Sequence, residues 1–266
     1  MKYFVVDVFT DEIFSGNPAG VCLLDEWPPD ETLQNIAMEN NLSETAYLVK
    51  HDSYYDLRWF TPALEVDLCG HATMGSAFVL FNVVKTGEKA LEFHTLSGVL
   101  TVKQENGMIW MDFPSRPSVP APMFENVSKS LNIRQYEIYK AADLLVVIDS
   151  EDAVRNLDPD LEPLGKKLKE EAGMPDDNFG VIVTAPGSDC DFVSRYFAPS
   201  CGINEDPVTG STHCMMIPYW SQRLGLKNMT ARQLSKRGGR LWCVDAGDRV
   251  MIGGKAALYM SGEIIV

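Results

Sequence analysis

Glu44, His71, Asp206 and Ser211 have the types and settings that acid–base chemistry on a small anion needs. Glu44 lies in Asn41-Leu42-Ser43-Glu44-Thr45-Ala46-Tyr47-Leu48-Val49, where a helix gives way to an apolar strand. Hydrophobic neighbours on one side make such a carboxylate a competent general base, because poor solvation favours taking up a proton. Its plainer reading is a solvated loop acid. His71 opens an apolar helix, as a structural histidine or as a proton shuttle or carboxylate ligand. Asp206, before Pro207, is a turn or cap residue or an acceptor for a substrate ammonium or hydroxyl. Gly70-His71-Ala72 and Gly210-Ser211 start two helices. Their N–H groups either are capped in the ordinary way or hold a carboxylate or developing oxyanion, worth roughly 0.3 to 1 kcal/mol per charge.

These groups recur because part of the chain recurs. Arg58-Trp59-Phe60-Thr61-Pro62 leads to Gly70-His71-Ala72, and Arg195-Tyr196-Phe197-Ala198-Pro199 leads to Gly210-Ser211-Thr212. A repeat at about half the chain length is too long for a solenoid unit. It implies two similar lobes with a cleft between them, where the helix starts face each other. The matching helix-to-strand junction of the second half, residues 173–179, offers no equivalent of Glu44, so the expected cleft is asymmetric in its acid–base groups.

Hydrophobic periodicity and turn residues predict the elements that carry these groups. The first half reads as strands at 2–9 and 20–24, a helix at 30–40 with Asp30 as its cap, strands at 45–49 and 54–60, a helix at 71–82, and strands at 91–94, 99–104 and 108–113. The second reads as strands at 136–141 and 144–148, a helix at 160–172, strands at 179–184 and 191–197, a helix at 210–224, and strands at 230–235, 240–244, 249–252 and 256–260. The helix from Ala72 to Phe81 is apolar nearly all round, which predicts burial inside a curved sheet. The proline-dense run from Pro114 to Pro122 reads as a connector. The expected division is a lobe over 1–114, a connector over 115–134 and a lobe over 135–266.

The 266 residues carry a formal net charge of −14, which disfavours nucleic acid and anionic membranes as partners. No stretch approaches a membrane span, and the opening run, broken by Asp7, reads as a strand rather than a leader. The six cysteines lack C-x-x-C spacing and read as free thiols of a reducing, cytoplasmic compartment. The four histidines show no metal-binding spacing, so no metal is expected.

Asn17-Pro18-Ala19-Gly20-Val21, Ser43-Glu44-Thr45, Asp67-Leu68-Cys69-Gly70-His71-Ala72-Thr73 and Glu205-Asp206-Pro207-Val208-Thr209-Gly210-Ser211 together resemble the phenazine-biosynthesis isomerase-like family, whose fold is like that of diaminopimelate epimerase. The resemblance spans most of the chain. It implies an α+β fold of two pseudo-symmetric lobes, each a curved mixed sheet wrapped round a central helix. It also implies a cofactor-free isomerisation in which Glu44 removes a proton from one carbon and returns it to another. Matched motif by motif, His71, Asp206 and Ser211 fall on substrate-binding positions, with His71 and Asp206 also counted among the catalytic groups. Ser43, Gly70, Ala72 and Gly210 complete the implied site. The implied partner is a small carboxylate-bearing substrate, and the implied assembly is a homodimer.

Related epimerases use two thiols, one at each helix start. Here Cys69 holds the first position but Thr209 the second, and a hydroxyl is too weak an acid to replace a thiol, which disfavours a symmetric two-cysteine mechanism. A racemase or epimerase using Glu44 with another group, and a catalytically silent binding protein, are the competing expectations.

Overall fold

The computed structural model describes residues 1–174 and 179–266. In chain order its elements begin with β1 (Lys2–Val8), β2 (Asn17–Leu24), α1 (Asp30–Asn40), β3 (Glu44–Lys50), β4 (Tyr55–Phe60), β5 (Glu65–Val66) and α2 (Gly70–Phe78). Next come β6 (Ala90–Thr95), β7 (Gly98–Glu105), β8 (Met108–Pro114), β9 (Val119–Pro120), α3 (Glu125–Leu131), β10 (Glu137–Lys140), β11 (Leu144–Val147), α4 (Glu151–Arg155) and α5 (Lys166–Ala172). The chain ends with β12 (Val181–Pro186), β13 (Phe192–Phe197), α6 (His213–Leu224), β14 (Asn228–Gln233), β15 (Gly239–Asp245), β16 (Arg249–Gly254) and β17 (Ala256–Glu263). The fold is α+β. It divides into a unit of residues 1–112 with 251–266 and a unit of residues 113–250.

In the first unit β1 pairs antiparallel with β2, β2 parallel with β3, β3 antiparallel with β4, β4 parallel with β6, and β6 antiparallel with β7. In the second, β10 pairs antiparallel with β11, β11 parallel with β12, β12 antiparallel with β13, β13 parallel with β14, and β14 antiparallel with β15. The order of parallel and antiparallel ladders is therefore the same twice. The repeated arginines explain part of the motif. Arg58 grips Glu65 through Nε and Nη2 at 2.7 Å each, and Arg195 grips Glu205 at 2.7 and 2.9 Å. Each guanidinium also lies over the phenylalanine two residues on, Phe60 or Phe197. Such two-pronged pairing fixes the loop that follows the strand.

Every residue of α2 from His71 to Ala77 is buried, as its apolar composition predicts. Gly75 faces the sheet, and a Cβ there would meet Ala19 Cβ and Val8 Cγ2 at 3.4 Å, an ordinary packing distance. After Phe78 the helix widens into a π-helical turn, Val79–Val84, where a plain helix to residue 82 was expected. In the second unit α6 buries His213 to Ile217 and Trp220, whose indole donates to Thr184 Oγ1 at 3.0 Å and stacks on Phe192. Pro218 lies inside α6 and cannot donate to the carbonyl of Cys214. The backbone N–H of Arg116 takes that carbonyl instead, at 2.9 Å, tying the proline-rich run to the helix.

Several sequence expectations give way to local chemistry. The run expected as a connector is built into the second unit: β9 pairs with β10, and Phe124, Val127 and Leu131 enter its core. The helix expected from residue 160 starts at Lys166, because Pro163 and Gly165 oppose helix upstream. Pro29, not Asp30, caps α1, and the Asp30 carboxylate pairs with Arg58 at 2.8 Å. The last strand does not stay with the second half. β17 pairs antiparallel with β1, covering an edge that the buried face of β1 would otherwise leave open. No helix among the described residues is long and apolar enough to cross a membrane.

Candidate functional site

In the first unit, β2, β3 and the start of α2 bring three of the sequence motifs together. The parallel ladder sets Ala19 opposite Glu44, so the Asn-Pro-Ala-Gly and Ser-Glu-Thr motifs are neighbours by register. Asn41 ends α1 in the left-handed conformation (φ 48°), turning the chain so that Glu44 begins β3. Cys69, in extended conformation, precedes α2, and its carbonyl accepts from Thr73 N–H at 3.1 Å and Thr73 Oγ1 at 2.6 Å.

His71 Nε2 lies 3.3 Å from Glu44 Oε2, with side chains only 7% and 14% exposed, and His71 Nδ1 lies 3.5 Å from Cys69 Sγ. Burial pushes the imidazole down to about 4, although a hydrogen bond to the backbone at Pro18 acts in the opposite sense. His71 is therefore neutral at pH 7, and the Glu44 carboxylate faces an uncharged ring rather than a fixed cation. Nε2 is buried and makes no hydrogen bond of good geometry despite that proximity. One donor atom each from Glu44, Cys69 and His71 lies within 4.8 Å of the other two. Ser43 and Gly70 are half-buried, and Ala72 is fully buried.

In the second unit Asp206 is buried, its N–H bonded to Tyr196 O at 3.1 Å. The Thr209 hydroxyl donates to Asp206 Oδ2 in a short contact. Gln233, on β14, knits this loop: its Nε2 donates to Asp206 O at 2.8 Å and Thr209 Oγ1 at 3.2 Å, and its Oε1 accepts from Thr209 N–H at 2.9 Å. Gly210 to Thr212 form turns, with His213, Cys214 and Met215 N–H groups each bonded three residues back. The regular helix thus starts at His213, three residues later than expected. Ser211 is exposed and Gly210 buried. His213 is wholly buried, pushed down to about 4 by burial, with Nδ1 2.8 Å from Thr209 O. Residues 175–178 of the junction compared above with Glu44 lie outside the described residues.

Gln233 is the residue that sequence reasoning missed. It follows Asp206 by 27 positions on a strand whose sequence carries no motif. The proximity of Cys69 to Glu44 was equally out of view, since only the fold brings β3 to the start of α2.

Comparison with known proteins agrees with this architecture. Residues 6–262 match the family described as phenazine biosynthesis-like protein. An uncharacterized isomerase of Pseudomonas aeruginosa is 49% identical over 264 residues, covering 99% of this chain and 98% of the relative. A crystal structure of a phenazine biosynthesis protein of the PhzF family from Enterococcus faecalis superposes with a TM-score of 0.94 at 45% identity, covering 100% of this chain and 99% of that one. A predicted epimerase from Pseudomonas aeruginosa shares the fold alone, with a TM-score of 0.74 at 17% identity over 100% of this chain and 99% of that one. The chain belongs to the phenazine biosynthesis-like family, a family of isomerases.

Proposed function

We propose that this protein is a cofactor-independent isomerase that moves a proton between carbons of a small carboxylate-bearing molecule, with Glu44 as the acid–base group. The observation that carries the reading is the mostly buried Glu44 carboxylate, 3.3 Å from the Nε2 of a buried, neutral His71. A carboxylate held by a permanent cation is a poor base, whereas an uncharged neighbouring ring does not hold the carboxylate in its ionised form. Glu44 takes the proton, the electron pair of the broken C–H bond delocalises into the substrate's conjugated system, and the same carboxyl returns the proton at another carbon. Bonds and charge balance without an oxidant or reductant.

His71 holds a proton or accepts one from a substrate hydroxyl. Asp206 and Ser211 bind substrate polar groups, and Ser43, Gly70, Ala72 and Gly210 supply further polar backbone or side-chain contacts. Thr209, whose hydroxyl is committed to Asp206, does not substitute for a second catalytic thiol. The protein acts in the cytoplasm as a homodimer, the latter checked by sedimentation equilibrium. The proposed reaction is tested in heavy water against a panel of small carboxylates that includes a dihydro-hydroxyanthranilate and diaminopimelate. Deuterium uptake into a panel compound, abolished by Glu44→Gln, is expected. Binding without uptake by the wild-type protein would favour a silent binding protein.

A further inference from the structure

We infer that Glu44, Cys69 and His71 form a binding site for one thiophilic divalent metal ion of the Zn2+ type. The three residues offer a carboxylate oxygen, a sulfur and an imidazole nitrogen, the donor types that zinc takes in proteins. They are the one group of three such donors within mutual reach among the described residues.

The spacing suits an ion. Zinc bonds of about 2.0 to 2.3 Å place tetrahedral ligands roughly 3.2 to 3.8 Å apart. Glu44 Oε2 and His71 Nε2 are already 3.3 Å apart, and no donor atom of the set is more than 4.8 Å from another. Closing the remainder asks only for side-chain rotation, because the backbones are fixed. Glu44 is held by its ladder to β2, where it stands opposite Ala19, and Cys69 and His71 by the first turn of α2.

A second observation points to a ligand independently of that spacing. His71 Nε2 is buried and makes no hydrogen bond of good geometry, so a buried nitrogen stands beside the other donors with its bonding capacity unused. Leaving such a group without a partner is costly, and a coordinate bond removes the cost. Three protein donors leave one tetrahedral position for water. The mixture of sulfur and nitrogen selects Zn2+ or Co2+ over Mg2+ and Ca2+, which prefer all-oxygen sites. Binding releases the Cys69 thiol proton to solvent, and the metal keeps its oxidation state. If the proposed proton transfer is correct, an ion here occupies both Glu44 and His71, and so inhibits.

Co2+ is the probe, because tetrahedral thiolate coordination gives it intense visible bands and a sulfur-to-metal charge-transfer band. Titration of the full chain should saturate at one Co2+, with both features present, displaced by Zn2+ and not by excess Mg2+. The exposed Cys201 is the competing thiol. Cys201→Ser should keep the charge-transfer band, and Cys69→Ser should lose it and bind Zn2+ at least about tenfold more weakly, the lower end of what even an outer-shell loss costs. Circular dichroism verifies that each variant is folded, and Glu44→Gln provides a second weakened variant should Cys69→Ser fail to fold. A charge-transfer band that survives in Cys69→Ser, or a wild-type protein that binds neither Co2+ nor Zn2+, would overturn the assignment. These readouts need no turnover, so they stand or fall separately from the isomerase reading.

Discussion

The stretch from Arg58 to His71 and the stretch from Arg195 to His213 are two uses of one scaffold. Both have an arginine clamped on a glutamate and laid over a phenylalanine, and both lead into a buried helix with a histidine near its start. They differ in how their acids are held. Glu44 faces a neutral ring at 3.3 Å, whereas the loop of Asp206 is tied by Thr209 and Gln233 through four hydrogen bonds. The duplicated part is the support, and the divergent part is the setting of the two candidate acids. If Glu44 is the proposed acid–base group and Asp206 a substrate-binding one, the first sits beside an uncharged ring and the second is braced.

The comparison can be broken first at the clamps. Arg195 is 12% exposed and also donates to Leu157 O at 2.6 Å, while Arg58 is 22% exposed and shares a solvent-facing Asp30. Arg195→Met should cost about 3 to 5 kcal/mol in urea unfolding, the usual cost of stranding one member of a buried pair, and Arg58→Met less. Equal losses would mean that the two clamps bear equally on their units.

The helix histidines sharpen it next. Burial lowers His213 to about 4 from 6.5, so in acid the unfolded chain binds a proton that the folded chain refuses. Its neutral form contributes fully above pH 6.5, and stability falls as the pH drops from there towards 4, by up to about 3 kcal/mol. A His213→Gln variant should show a shallower acid slope in denaturant midpoints between pH 7 and 4. An unchanged slope would contradict the burial argument.

Smaller again is the brace. Gln233→Leu strands the Thr209 N–H and Asp206 carbonyl and should cost about 1 to 3 kcal/mol in thermal or urea unfolding. If Asp206 holds substrate, the same variant should weaken substrate binding more than it slows deuterium exchange at saturation.

Much of the scaffold is legible in the sequence because periodicity and turn residues act locally. Apart from the two-residue β5, the strands between Lys2 and Phe113, the apolar α2 and the helix 30–40 follow from alternation, apolar faces and the turns at Ser97-Gly98 and Asn106-Gly107. What escaped was decided partly by local competition and partly at a distance. Pro163 and Gly165 outweighed a leucine face and shortened α5, and bonds to carbonyls three residues back delayed α6 to His213. β17 was claimed by β1, some 250 residues earlier in the chain. Each candidate carboxylate, Glu44 and Asp206, stands out by its neighbours in sequence. The approach of Cys69 and His71 to Glu44, and of Gln233 to Asp206, depends on register and helix placement, which no local pattern encodes.

The most direct measurement compares Glu44→Gln and Asp206→Asn for deuterium incorporation from heavy water, using the first panel compound that the wild-type protein labels, with thermal shift recording binding. Glu44→Gln should retain binding and lose about 100-fold or more of the exchange rate. Asp206→Asn should lose binding and recover exchange as the compound is raised. Exchange at the wild-type rate by Glu44→Gln would contradict the assignment of Glu44 as the base.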